Sequence, residues 1–142
     1  MKTVQQILKD GKTIAVVGLS TKPERASHGV AAYLQQNGYR ILPVNPSYAG
    51  QEILGEPVYA SLADAAAALP AGSAIDIVDC FRNADDMLPV AHEAVAVGAG
   101  CLWMQLGVVN EAAAEVASAA GISVVMDKCM KIEHRQLGQD GA

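Results

Sequence analysis

The stretch TIAVVGLSTKPERASHGVAAYLQQNGYRILPVNP, residues 13–46, combines two apolar runs with an amphipathic segment between them. The first apolar run, 13–18, predicts a buried strand. The apolar spacing over 27–37 predicts a helix, which Gly38 ends. The second apolar run, 39–45, predicts strand two. Because parallel strands need a crossover and a helix commonly provides it, this stretch indicates a parallel β-α-β unit.

The same alternation of apolar runs and helical periods continues along the chain. A short helix is predicted before strand one, over 3–10. The later elements are a third strand near Pro57–Tyr59, a helix capped by Ser61, strand four over 74–81, a helix capped by Asn83, strand five over 100–105, a helix capped by Asn110, strand six over 122–127 and a helix in the tail. The pattern predicts one doubly wound, Rossmann-like α/β domain with its core over about 13–137. Its mainly parallel sheet of five to six strands takes the order 3-2-1-4-5-6, with helices on both faces.

Composition limits the classes of function. The 142 residues fit one domain, and the net charge of −5 gives no overall attraction for nucleic acid or anionic lipid. Three cysteines, Cys80, Cys101 and Cys129, are an odd number without a CxxC pair, which favours a reducing compartment. The N-terminus lacks a signal-peptide core, and there is no run of about 20 apolar residues. We therefore expect a cytoplasmic protein with neither nucleic acid nor a membrane as partner.

The turn after strand one departs from known glycine fingerprints. Ligands of doubly wound sheets bind at the carboxyl ends of the strands, beside this turn. A dinucleotide fingerprint G-x-G-x-x-G that starts at Gly18 would need glycines where the chain has Ser20 and Pro23. A GxxxxGK[ST] loop is absent as well. The turn is therefore not a standard dinucleotide or P-loop site.

The same turn has the groups that anions require. Lys22 and Arg25 supply charge, and Ser20 and Ser27 supply hydroxyls, next to the N-terminus of the following helix. The alternative is that Ser27 only caps the helix while both cations are solvated. We favour an anion site for the loop as a whole. Gly29, one turn into the helix, is expected to let that helix approach the sheet closely.

The end of strand two bears on the choice of nucleotide. NAD sites place a carboxylate there to accept hydrogen bonds from the ribose. This chain has Asn45 and Pro46 instead, in the sequence PVNP. An amide and a proline ring offer a neutral, flat surface that suits an adenine edge. The marker most specific for NAD is missing, although NAD is not excluded.

Several separated motifs resemble one family, the stand-alone bacterial CoA-binding proteins. They are VVGLSTKPERASHGVAAYLQQNGYRILPVNP, VYASLADA, DIVDCFRNADD, AVAVGAGCLWMQLGVVNEAA and AGISVVMDKCMKIEH. The Rossmann-like domain of that family is similar to the CoA-binding domain of the succinyl-CoA synthetase alpha subunit. The resemblance runs from about Thr13 to Leu137. It implies that the chain binds CoA or acyl-CoA, and it implies no particular reaction, because the synthetase's catalytic histidine belongs to a separate domain.

The resemblance also implies where the ligand would lie. The family's ligand loop corresponds to Gly18, Ser20, Pro23, Arg25 and Ser27. The adenine end would lie beside Val44, Asn45 and Pro46, and the arm of the ligand would run past Phe81, Arg82, Trp103, Gln105 and Gly107. Lys22, Arg25 and Arg82 are the cations available for the phosphates. Trp103 is either a wall of this crevice or part of the core.

The other polar residues offer few further candidates for chemistry. Cys129 and His134 are five residues apart, which fits no zinc pair, so no metal site is predicted. A mixed disulfide between Cys129 and CoA is a hypothesis, and Asp79 could order a neighbouring loop. No nucleophile–base–carboxylate set is evident. We therefore expect a non-catalytic CoA-binding or sensor protein, with a homodimer as a possibility; the alternative is an enzyme of unknown reaction that uses NAD(P) or acyl-CoA.

Overall fold

A computed structural model of the chain describes the backbone of residues 2–140 and the side chains of residues 2–138. These residues contain six α-helices and seven strands. In chain order they are α1 Val4–Asp10, β1 Thr13–Val17, α2 Ala26–Gln36, β2 Arg40–Val44, β3 Glu52–Ile53, β4 Glu56–Pro57, α3 Leu62–Ala67, β5 Ile77–Cys80, α4 Met87–Ala96, β6 Cys101–Met104, α5 Glu111–Ala119, β7 Ser123–Val125 and α6 Met130–Asp140. Short 3-10 helices cover Pro46–Tyr48 and Ala84–Asp86.

The main sheet has five strands in the order β2-β1-β5-β6-β7, and all four pairings are parallel. The predicted parallel sheet of five to six strands is therefore confirmed. The third predicted strand is reduced to one parallel bridge, between Tyr59 and Val44, on the outer side of β2. The neighbouring β3 and β4 form a separate antiparallel hairpin that the sequence analysis did not predict.

Both faces of the sheet are covered by helices, as predicted. Alternate residues of a strand point to opposite faces, and β1 shows this directly. Ala15 packs in the cluster formed with α3, α4 and α5, whereas Ile14 packs in the cluster formed with α1, α2 and α6. Burial on both faces explains why the strands are continuous apolar runs.

Two predicted helix caps are confirmed by their hydrogen bonds. The side chain of Ser61 accepts from the backbone N–H of Asp64 at 3.1 Å, and the side chain of Asn110 accepts from Ala113 at 2.9 Å. Asn83 begins a 3-10 turn before α4, but its side chain makes no capping bond, so that expectation is wrong. In the residues that the structure describes, we find no helix with the length and apolar character needed to cross a membrane.

Candidate functional site

The candidate site begins where three neighbouring strands end together. The N–H of Gly18, just after β1, donates to the carbonyl of Val44 at 2.8 Å, and the N–H of Phe81 donates to Val17 at 2.8 Å. Gly18 has a φ of 88°, and a Cβ atom on it would overlap the carbonyl oxygen of Phe81. Only glycine fits both constraints. The first turn therefore starts in contact with the end of β5.

The loop after Gly18 is held in shape by hydrogen bonds of its own. The buried side-chain oxygen of Ser27 accepts from the N–H of Ser20 at 3.0 Å. The Ser20 hydroxyl accepts from the N–H of Lys22, also at 3.0 Å. The N-cap residue of α2 is Arg25, and no side chain caps that helix end. The idea that Ser27 merely caps α2 is thus wrong, because its hydroxyl ties the loop together.

These elements enclose a cavity of about 380 Å³, which we call the loop pocket. It combines two cations with the N-terminus of α2, whose first N–H groups have no acceptor within the helix. Such an arrangement is suited to an anion. Its lining residues are Gly18, Ser20, Lys22, Arg25, Ala26, Ser27, Asn45, Tyr48 and Phe81.

Asn45 joins the loop pocket to the 3-10 helix that follows β2. Its amide nitrogen donates to the carbonyl of Leu19 at 3.1 Å, and its amide oxygen accepts from the N–H of Ser47 at 3.0 Å. Both polar atoms of the side chain are therefore used to hold the two loops together. Asn45 shapes the pocket wall more than it offers hydrogen bonds to a ligand.

A second cavity, of about 550 Å³, adjoins the first, and we call it the apolar pocket. The two linings share Ala26 and Phe81, so the pockets lie side by side, and we refer to them together as the cleft. Leu106 and Ile132 are 66% and 46% exposed, respectively, and provide apolar surface here. The complete lining is Ala26, Val30, Phe81, Arg82, Asn83, Asp86, Gln105, Leu106, Val108, Cys129 and Ile132.

Comparison with known proteins identifies the family to which this chain belongs. The family described as CoA binding domain matches residues 12–135, which is most of the chain. The chain belongs to the CoA binding domain family. This finding confirms the resemblance noted from the sequence motifs.

Individual relatives agree over nearly the whole length. A Bacillus subtilis protein described as uncharacterized protein YneT is 40% identical over 131 residues, which are 92% of this chain and 91% of the relative. The structure of cell-free ID.343 from Thermus thermophilus is 37% identical, with a TM-score of 0.86, over 96% of this chain and 99% of that one. A dinucleotide forming acetyl-coenzyme A synthetase from Ca. Korarchaeum cryptofilum shares the fold at 21% identity, with a TM-score of 0.68, over 87% of this chain and 27% of that one.

Five residues that the sequence analysis assigned to the ligand lie outside the linings of both pockets. Trp103 is completely buried, and its indole N–H donates to the carbonyl of Lys128 at 2.8 Å, so the structure places it in the core of this CoA binding domain. Val44 is buried, and its backbone carbonyl accepts the hydrogen bond from the N–H of Gly18. Pro23 and Pro46 are exposed. Gly107 is likewise outside the linings, where its N–H donates to the carboxylate of Asp127 at 2.7 Å.

Several lining residues were missed by sequence reasoning. Tyr48 lines the loop pocket, and Leu106 and Ile132 line the apolar pocket. Leu106 follows a predicted strand directly and could have been found from that position. Ile132 could not, because it belongs to α6 and reaches the cleft only through tertiary packing.

Beneath the apolar pocket lies a completely buried carboxyl group, that of Asp79. The amide nitrogen of Gln105 donates to Asp79 Oδ1. Asp79 Oδ2 has no partner, and it is the one buried side-chain nitrogen or oxygen of the described residues in that condition. Burial raises the pKa of Asp79 from 3.8 to about 7, while the Gln105 hydrogen bond acts in the opposite direction.

The cleft brings together groups that can bind a ligand. Its polar end carries cations and hydroxyls, and its other end carries apolar side chains with the partly exposed thiol of Cys129. Among the described residues, no cluster of three histidine, cysteine, aspartate or glutamate side chains is placed to hold a metal ion. The cleft is suited to a ligand with an anionic part and an apolar part.

Proposed function

We propose that this chain binds CoA or an acyl-CoA along the cleft formed by the loop pocket and the apolar pocket. The observation that carries the proposal is that the two pockets lie side by side, with Ala26 and Phe81 in both linings. CoA has the matching two parts, a phosphate-bearing nucleotide and a long, largely apolar arm. The membership of the CoA binding domain family supports the same ligand class.

The nucleotide end would occupy the loop pocket. Lys22 and Arg25 line this pocket at the N-terminus of α2, where a phosphate gains from both charge and backbone N–H groups. The chain as a whole has a net charge of −5 and repels anions. The local cations are therefore what would hold a ligand with several phosphates.

The pantetheine arm would lie in the apolar pocket. Phe81 lines both pockets, and Arg82 follows it in the lining of the apolar pocket, next to the proposed position of the pyrophosphate. Beyond them the lining includes Val30, Val108 and Ile132. An arm that leaves the phosphates would pass over this apolar surface, and its sulfur end would approach Cys129.

We further propose that the protein holds the bound ligand without converting it, and that it acts as a CoA carrier or sensor in the cytoplasm. The lining groups support this role, because cations, hydroxyls and apolar side chains predominate among them and the described lining includes no histidine. Three cysteines without a disulfide support a reducing compartment.

Calorimetric titration and thermal shift with CoA, acetyl-CoA, NAD⁺ and NADPH test this function. We expect CoA or acetyl-CoA to bind at one site per chain and to stabilise the fold by about 2.7 kcal/mol at 100 times its Kd. Native mass spectrometry of the same samples gives the stoichiometry and tests for a homodimer. Binding of NAD⁺ without any response to CoA or acetyl-CoA would overturn the proposal and favour an NAD-dependent protein.

A further inference from the structure

The buried carboxyl group of Asp79 lowers the stability of the fold. It lies on β5, in register with Val16 of β1 and Trp103 of β6, both of which are completely buried apolar residues. A buried carboxyl oxygen without a partner opposes folding, because it loses water and gains no hydrogen bond in return. Packing alone would be served better by an apolar side chain at this position.

The single side-chain partner that the structure gives Asp79 points toward the ligand cleft. Gln105 is only 4% exposed, yet it forms part of the lining of the apolar pocket. Its amide nitrogen is held by Asp79 Oδ1. Gln105 is therefore the link between the buried carboxyl group and whatever enters the pocket.

The contact with Asp79 fixes which way the Gln105 amide faces. An amide has a donor end and an acceptor end, and the donor end faces Asp79, to which the nitrogen donates one hydrogen bond. The carbonyl oxygen is then the end that remains for a molecule in the pocket. Asp79 Oδ1 can accept from Gln105 in either protonation state, since a proton can reside on the unpartnered Oδ2.

We infer that Asp79 is a positioning residue, which holds the Gln105 carbonyl oxygen ready to accept a hydrogen bond from an amide N–H of the bound ligand. The inference rests on the proposed function and extends it. The pantetheine arm of CoA carries two secondary amides, whereas the nucleotide part carries no such group. The Asp79–Gln105 pair thus gives the apolar pocket a preference for an amide-bearing arm over an aliphatic chain.

Dephospho-CoA and ADP are the matched probes, because they share adenosine and pyrophosphate and differ in the pantetheine arm. We expect Gln105→Met, which keeps the volume and removes the amide, to weaken dephospho-CoA about tenfold, as the loss of one hydrogen bond does. The affinity for ADP should stay within about twofold of wild type. Calorimetric titration of both nucleotides gives the ratio.

Two substitutions at Asp79 separate positioning from simple support of the fold. Asp79→Leu removes the acceptor, so the Gln105 amide is free to turn, and we expect a selective loss of dephospho-CoA binding similar to that of Gln105→Met. Asp79→Asn keeps an acceptor oxygen and should restore the preference. Asp76→Ala is the control for lost stability, because Asp76 accepts from the backbone of Lys12 and Thr13 at the other end of the sheet. It should leave the preference unchanged.

The outcomes distinguish the two proposals. An equal loss of dephospho-CoA and ADP binding in Gln105→Met, or wild-type preference in Asp79→Leu, overturns the positioning role alone. A wild-type protein that binds neither CoA, acetyl-CoA nor dephospho-CoA overturns the proposed function, and this inference with it. Wild-type binding with a selective loss in Gln105→Met and Asp79→Leu, and recovery in Asp79→Asn, supports both.

Discussion

Gly18 and Phe81 meet backbone to backbone at the ends of β1 and β5, with no room for a side chain between them. A Cβ atom on residue 18 would overlap the Phe81 carbonyl oxygen, and the φ of 88° disfavours any other residue. This contact sets the point from which the loop between β1 and α2 departs.

Gly18→Ala should therefore destabilise the protein by about 2 kcal/mol or more, since it combines backbone strain with an overlap. Urea unfolding followed by circular dichroism measures the change. Gly29→Ala is the matched control. Contrary to the sequence expectation of a close approach, a Cβ atom on Gly29 would meet nothing within 4 Å. Because Gly29 lies inside α2, we expect alanine there to be neutral or to stabilise by about 0.5–1 kcal/mol. Equal effects of the two substitutions would contradict the structural argument.

Arg25→Ala should weaken CoA binding about tenfold at low salt, because one charged contact to a phosphate is lost. The difference from wild type should shrink as the ionic strength rises. Arg40→Ala is the control, since Arg40 is an exposed cation at the opposite end of β2. Calorimetric titration at two salt concentrations measures both effects. If both variants bind CoA like wild type, the loop pocket does not hold the phosphates through Arg25.

The raised pKa of Asp79 predicts a specific pH dependence of stability. Folding raises this pKa from 3.8 to about 7, so the folded state holds the proton more tightly than the unfolded state. The contribution of this group to stability is complete below pH 3.8 and is lost as the pH rises through about 7. Within that window the loss is about 1.4 kcal/mol per pH unit at most.

Asp79→Asn removes this titration and keeps the shape of the side chain. The free energy of unfolding of the variant, relative to wild type, should therefore rise between pH 4 and pH 7 and level off above. Urea unfolding of both proteins at several pH values gives the difference in the free energy of unfolding. The contributions of the other carboxyl groups cancel in this difference. A constant difference across this range would show that Asp79 does not titrate there.

The reactivity of Cys129 offers a probe of the apolar pocket. Cys80 and Cys101 are 0% and 1% exposed, respectively, whereas Cys129 is partly exposed and lines the pocket. We expect iodoacetamide to modify Cys129 first and saturating CoA to slow that modification several-fold, as judged by peptide mass spectrometry. ADP, which lacks the arm, should protect less, and Cys129→Ser should lose the rapid phase. Modification at the same rate with and without CoA would exclude the arm from this pocket.

The apolar strands were the part of the fold most readily predicted from sequence. Strand one was predicted over 13–18 and lies over Thr13–Val17, and strand five was predicted over 100–105 and lies over Cys101–Met104. Strands buried on both faces give unbroken apolar runs, so the signal is strong. The hairpin of β3 and β4 gave no such signal. Each of its strands has only two residues, and Leu54 in its turn adopts a positive φ of 56° that sequence does not reveal.

The residues of the candidate site likewise differ in how far the sequence could predict their positions. Residues next to strand ends, such as Gly18 and Phe81, lie in the cleft because topology alone brings those ends together. Trp103 could not be assigned from sequence, since a tryptophan near a strand end suits both a core and a wall. Its indole N–H donates to the carbonyl of Lys128, which lies 25 residues away in the sequence. Only the fold brings these two groups together.

The hydrogen bond between Ser20 and Ser27 closes the loop between β1 and α2 into a ring before any molecule enters the loop pocket. Fixing the backbone of a residue costs about 1–2 kcal/mol, and here that entropy is lost during folding. A molecule that enters the loop pocket then meets a pre-organised template. Association would proceed as a single encounter whose rate depends on diffusion and electrostatic steering, without a slower step in which the loop closes.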